Sequence, residues 1–118
     1  MSPATQTPSP SAVEGIFVAL GDNTRRSIFF SLMEREQSIK ELAAPLGITL
    51  TGLGQHIRVL EAAQLVSSRK VGRERRCMID PAGLDRLEAF AQLQRSLWRS
   101  RFGALRQILE APQDQGEH

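Results

Sequence analysis

Three patterns in the 118-residue sequence predict a mainly helical fold with one small β-hairpin. Apolar residues recur at steps of three and four along most of the chain, as one face of a helix requires. Asp, Ser or Thr stands ahead of several of these stripes and glycine behind them, which divides the pattern into short helices. One stretch, 65–79, breaks the pattern and reads as two extended runs about a turn. Apolar residues make up 41% and charged residues 24% of the chain, which excludes a wholly disordered polypeptide. The length fits one domain with one small core.

The elements follow in order. Residues 1–11 hold Pro3, Pro8 and Pro10 among Ser, Thr and Gln, and read as a flexible tail. Val13, Ile16, Phe17 and Leu20 mark one face of a first helix, stopped by Gly21. Asp22 can cap a second helix reaching about residue 35, with Ile28, Phe29, Leu32 and Met33 as its buried stripe. Ser38-Ile39-Lys40-Glu41 is a capping box that opens a third helix carrying Ile39, Leu42, Ala43 and Leu46. Gly47 ends that helix, and Gly47-Ile48-Thr49 is the whole connection to the next. Thr49 caps a fourth helix, which runs through Leu53, Ile57 and Leu60 to about residue 63. Two short helices joined by a tight turn containing glycine read as a helix-turn-helix.

Strands at 65–70 and 75–79, about the turn Val71-Gly72-Arg73-Glu74, add a hairpin with a basic tip. Asp80-Pro81 closes the hairpin and starts a last helix. Leu84, Leu87, Phe90, Leu93, Leu97, Trp98, Phe102, Leu105, Ile108 and Leu109 keep helical spacing along it, and 112–118 read as a second flexible tail. Residues 12–111 are thus expected to form a winged helix-turn-helix with a long C-terminal helix. A wing and three helices fill their own core without the last stripe. The surplus predicts a homodimer, with Ile16, Phe17, Leu93, Leu97, Trp98, Phe102 and Leu105 at its interface.

Net charge is only +2, but residues 56–76 carry six basic and two acidic side chains, for +4. A basic segment on a near-neutral body has the form of an electrostatic binding face. No apolar run approaches the roughly 18 residues of a membrane span, and 1–11 lack the features of a secretory signal. A single cysteine, Cys77, allows no internal disulfide, so a reducing cytoplasm is the expected location. There is no Gly-rich phosphate loop, no Ser-His-Asp constellation and no tyrosine, so no enzyme and no cofactor is expected.

Several motifs resemble the ArsR family of bacterial transcription repressors. Leu20-Gly21-Asp22-Asn23-Thr24-Arg25-Arg26 is similar to the family's L-x-D-P-T-R-x opening. Ile39-Lys40-Glu41-Leu42-Ala43 followed by Leu46-Gly47-Ile48-Thr49 resembles its first motif helix and turn. The run from Gln55 to Val66 resembles its S-x-H-L-x-x-L-x-x-A-G-L-V signature, and Gly72-Arg73 through Asp80-Pro81 resembles its wing. Asn23, Gly54 and Gln64 stand where the family carries Pro, Ser and Gly. The resemblance implies a regulator, a repressor in most of the family, that binds double-stranded DNA at an inverted-repeat operator as a homodimer.

Metal sensing is common in that family, but its ligands are missing here. The thiolate motif E-L-C-x-C corresponds to Glu41-Leu42-Ala43-Ala44-Pro45, and the last helix offers Asp85 and Glu88 without histidine. A transition-metal site needs three or four such ligands, so no metal site is expected. No small-molecule effector can be named from the sequence.

On a helical wheel, Leu53, Ile57 and Leu60 turn inward, while Thr51, Gln55, Arg58 and Ala62 lie opposite. Docked in a major groove, Thr51 and Gln55 reach base edges and Arg58 reaches phosphate. Thr49 is foremost a cap whose hydroxyl can also meet phosphate. His56 lies between the faces, as a DNA contact or a half-buried structural residue. Arg69, Lys70, Arg73 and Arg75 of the wing are expected on phosphate or at the minor groove. The alternative is a winged-helix module that binds a protein and not DNA.

Overall fold

A computed structural model describes residues 10–116. The elements are α1 (Pro10–Leu20), α2 (Asn23–Glu34), β1 (Gln37–Ser38), α3 (Ile39–Leu46), α4 (Leu50–Ala62), β2 (Val66–Val71), β3 (Glu74–Ile79) and α5 (Pro81–Gly116). Helix α1 starts at Pro10, inside the segment read as a tail, because proline at a first helical position gives up no hydrogen bond. The rest of that segment, 1–9, lies outside the described residues. Helix α5 likewise continues into 112–116, and 117–118 lie outside the described residues.

Side chains that accept amides three residues onward set the helix starts. Asp22 Oδ2 accepts the Arg25 amide at 3.0 Å. Ser38 Oγ accepts the Glu41 amide at 3.1 Å while Glu41 Oε1 accepts the Ser38 amide at 2.8 Å, a complete capping box. Thr49 Oγ1 accepts the Gly52 amide at 3.0 Å. Gly47, at φ 65°, closes α3 with its amide 3.1 Å from the Ala43 carbonyl.

The sheet has three antiparallel strands in the order β1-β3-β2. Strand β1 was not expected. Two residues carry no alternation, and Gln37 and Ser38 are extended because they pair with Cys77 and Arg76 about forty positions away. The hairpin is tighter than the sequence suggested. Val71 pairs with Glu74, so only Gly72 and Arg73 form the loop. Gly72 alone is at positive φ, the type II′ pattern that matches strand twist.

One core joins Ile16 and Ala19 of α1, Ile28, Phe29 and Leu32 of α2, Leu42 and Ala43 of α3, Leu53, Ile57 and Leu60 of α4, and Leu65, Val66 and Cys77 beside and within the sheet. Met33, expected in this stripe, is 57% exposed. Helix α2 has more apolar residues than one face can bury, and Met33 falls with exposed Phe30 on the flank turned away. Leu84 and Leu87 pack α5 onto the core, and Phe90 meets Phe17 edge-on at 5.9 Å between ring centroids. Beyond Phe90 the helix leaves the domain, and nearly every residue from 91 to 110 is exposed. Among the described residues no helix is long and apolar enough to cross a membrane.

Candidate nucleic-acid interface

The expected division of α4 holds. Leu53, Ile57 and Leu60 are buried, whereas Thr51, Gln55, Arg58 and Ala62 are exposed. No carboxylate interrupts that outer face. Thr49 serves as the cap, and a Cβ at Gly52 would lie 3.2 Å from its hydroxyl. A Cβ at Gly54 would meet nothing within 4 Å, so a side chain fits there.

His56 is half-buried, and its Nδ1 lies 3.4 Å from Arg25 Nη1. Arg25 also donates to the Ala19 carbonyl at 2.8 Å and the Val18 carbonyl at 3.1 Å. The end of α1 and the middle of α4 are therefore joined through one guanidinium. The Arg25 amide holds the Asp22 carboxyl below its ordinary range, helped by the charge of Arg25.

The wing arginines divide into two groups. Lys70 and Arg73 are exposed at the tip with no ion pair among the described residues, as is Arg58 on α4. Arg75 donates to Ser68 Oγ at 3.0 Å, and that hydroxyl donates to Glu61 of α4 at 2.6 Å. Arg76 is turned inward. Its Nε lies 2.9 Å from Glu36, its Nη1 3.4 Å from Glu74 and its Nη2 3.9 Å from Glu41. The Glu36 hydrogen bond, with the charges of all three carboxylates, raises the Arg76 guanidinium above its ordinary value. Arg69 lies 3.3 Å from the same Glu36 oxygen.

Sequence reasoning missed Glu36 and left Arg25 unassigned. Arg25 stands within a quoted motif, but no pattern connects it with a histidine 31 positions on. Nothing in the sequence joins Glu36 to Arg76 across 40 positions.

Cys77 is fully buried in β3, and burial pushes its thiol up to about 11, with the Glu61 charge adding to the effect. It is a strand side chain in the core. Among the described residues no group of three His, Cys, Asp or Glu could hold a metal ion.

The residues assigned to a dimer face separate. Ile16 is 0% exposed in the chain's own core, so it has no surface for a partner, whereas its neighbour Phe17 is half-exposed. The difference is one helical step of about 100°, which carries Phe17 toward Phe90 and α5. Leu93, Leu97, Trp98, Phe102 and Leu105 are all exposed, Trp98 by 64%. Trp98 stacks on Phe102 at 6.1 Å between ring centroids, and the Arg106 guanidinium lies over the same Phe102 ring, 5.2 Å from its centroid.

These features define a winged helix-turn-helix protein. A helix-turn-helix domain model matches residues 20–69. The chain is 39% identical over 66 residues to the HTH-type transcriptional regulator Rv2034 of Mycobacterium tuberculosis, covering 56% of this chain and 62% of that protein. It thus spans about three-fifths of that relative's length. The uncharacterized HTH-type transcriptional regulator YuzN of Bacillus subtilis is 42% identical, with 52% of this chain and 75% of that protein covered. An ArsR family transcriptional regulator, RHA00566, superimposes with a TM-score of 0.73 at 34% identity, over 80% of this chain and 97% of that one. The homodimeric winged helix-turn-helix DNA-binding domain Mb0332 from Mycobacterium bovis gives 0.58 at 25% identity, over 86% and 84%. The chain belongs to the ArsR family of winged helix-turn-helix transcriptional regulators.

Proposed function

We propose that this chain is a cytoplasmic repressor that binds an inverted-repeat operator in duplex DNA as a homodimer, with no metal sensor site. The observation that carries the reading is the outer face of α4. Thr51, Gln55 and Arg58 are exposed there without a carboxylate, and the adjoining hairpin ends in Lys70 and Arg73, which have no ion pair among the described residues. Gln55 can donate to and accept from one adenine edge, while the tip charges attract phosphate without reading sequence. His56 faces Arg25 rather than solvent alone, so its part is to steady the helix that carries Gln55.

The exposed stripe of α5 supports the dimer, since a lone chain would leave Leu93, Leu97, Trp98, Phe102 and Leu105 in water. A two-fold axis between two such chains presents two α4 helices, hence an inverted repeat. Mb0332 is described as homodimeric, which agrees with this reading.

The test is anisotropy of a labelled random-sequence duplex titrated with the full chain at low salt. Binding that weakens steeply with added salt is expected. Added zinc, cadmium or arsenite at low micromolar levels should leave it unchanged. Absence of binding would overturn the reading in favour of a protein-interaction module.

A further inference from the structure

We infer that Glu36 sets the strength of the wing's sequence-blind grip on DNA: it holds Arg69 and Arg76 as internal counter-charge and so weakens the binding of phosphate there. The inference rests on the DNA-binding reading above.

Five basic residues lie between 69 and 76, yet they are not equally available. Arg76 is only 27% exposed at its side chain and meets three carboxylates. Arg69 is 58% exposed and has one carboxylate, Glu36, at 3.3 Å. It also lies 3.5 Å from the Met78 sulfur, which brings its guanidinium back along the hairpin. Glu36 sits between α2 and β1, immediately before the residues that pair with β3. Its position is therefore set by the fold and not by a free loop. A phosphate approaching Arg69 must displace a carboxylate already in place, whereas at Lys70 and Arg73 it displaces only water and ions.

The consequence follows from how such contacts scale. Each phosphate neutralised adds about 0.9 to the slope of log affinity against log salt, for operator and random DNA alike. Base contacts add to operator binding alone. Occupying Arg69 internally lowers the shared part and leaves the base-reading part intact. Affinity for operator and random DNA falls by the same factor, so the arrangement sets how tightly the wing grips any duplex and leaves the ratio between the two unchanged. Arg69 was expected to be a phosphate contact equal to the others; Glu36 makes it a partial one.

The experiment uses the full chain and a random-sequence duplex, with salt titrations of wild type, Glu36→Gln and Glu36→Gln/Arg69→Ala. Glu34→Gln is the control, an exposed glutamate two residues away with no ion pair among the described residues. Glu36→Gln should bind more tightly and steepen the slope, by at most about 0.9 per subunit or about 1.8 per dimer, since Arg69 already makes part of that contact. Its advantage over wild type should then shrink with salt, by at most about 12-fold between 50 and 200 mM. Adding Arg69→Ala should remove the gain, and Glu34→Gln should leave the slope unchanged. An unchanged slope in Glu36→Gln, or a gain that survives Arg69→Ala, would overturn the inference.

A second comparison leaves Glu36 in place. Arg69→Ala should flatten the slope clearly less than Arg73→Ala does, and equal losses would overturn the inference too. Failure of the wild type itself to bind the random duplex would instead remove the DNA-binding reading, and this inference with it.

Discussion

The amide of Gly83, in the first turn of α5, donates to the carbonyl of Gln64, just past the end of α4, at 2.7 Å. A Cβ on Gly83 would lie 2.6 Å from that oxygen and 2.8 Å from the Ala63 carbonyl oxygen. Both obstacles are backbone, so no side chain can swing aside. The contact fixes the direction in which α5 leaves the domain, and with it the relation of the exposed stripe to α4.

Gly83→Ala should therefore cost about 1–3 kcal/mol, the usual range for forcing extra volume into a closed contact. Urea unfolding should show a lower midpoint at an unchanged slope. A midpoint equal to the wild type's would mean that α5 departs without leaning on α4.

Gln64 makes the complementary case. It is the one non-glycine residue among those described with positive φ, at 59°. Its amide bonds the Glu61 carbonyl at 2.9 Å while the Leu65 amide bonds Leu60 at 3.0 Å, the paired closure of a Schellman motif. Glycine is the usual residue there, as in the related family signature. Left-handed backbone costs about 1–2 kcal/mol for a residue with a Cβ, and glycine's greater freedom when unfolded returns about 0.4–1 of it. Gln64→Gly should stabilise the protein by about 0.5–1 kcal/mol by the same urea measurement.

Acid sensitivity follows from the caps. The Ser38 amide, with the charges of Arg76 and Arg35, holds the Glu41 carboxyl below its ordinary value. Asp22 is lowered by the Arg25 amide. Each carboxyl binds a proton more weakly folded than unfolded. Its contribution to stability is complete above the unfolded value and is lost as the pH falls through the folded one. Urea midpoints should fall below about pH 4.5, and Glu41→Gln should flatten that fall while lowering the neutral-pH plateau. An equally steep acid fall in Glu41→Gln would place the lost proton linkage elsewhere.

The readable part of this fold was local. Asp22, Ser38 with Glu41, Thr49 and Gly47 act on amides or carbonyls within four residues, so their chemistry is visible as spacing. Strand β1 and the Glu36–Arg76 pair exist only because distant chain segments meet, and no spacing encodes them. Met33 and Ile16 show a subtler limit. Periodicity finds an apolar stripe, but which edge of it is buried depends on the elements that arrive alongside. At α1 those are α5 through Phe90 and α2 through Ile28, and they separate Phe17 from Ile16. The candidate site was legible for α4, where one face is buried throughout. It was less so for the wing, where nothing in the sequence distinguishes Arg69 and Arg76, paired with Glu36, from Arg73.

Assembly should depend on α5. Light scattering at micromolar concentration should give twice the chain mass of 13.1 kDa. Leu97→Glu and Trp98→Glu each place a charge within the exposed stripe without touching the domain core, so the folded unit should persist while the dimer weakens. A 13.1 kDa species for the wild type would remove the dimer from the proposal.

The wing and α4 should fail in different ways. Arg73 stands at the hairpin loop beside Gly72, exposed and without an ion pair among the described residues. Arg73→Ala should weaken binding to every sequence about equally and flatten the salt slope by about 0.9 per subunit, since a phosphate contact carries charge and little base information. Gln55 is uncharged and exposed on the outer face of α4. Gln55→Ala should leave the slope nearly unchanged but reduce preference for the operator, selected from a random pool with the wild type, by about 1–3 kcal/mol per lost bidentate contact. The two variants thus separate along two measured axes, slope and preference. The assignment of hairpin to backbone and helix to bases fails if Arg73→Ala abolishes operator preference while random-duplex affinity and slope stay as they were.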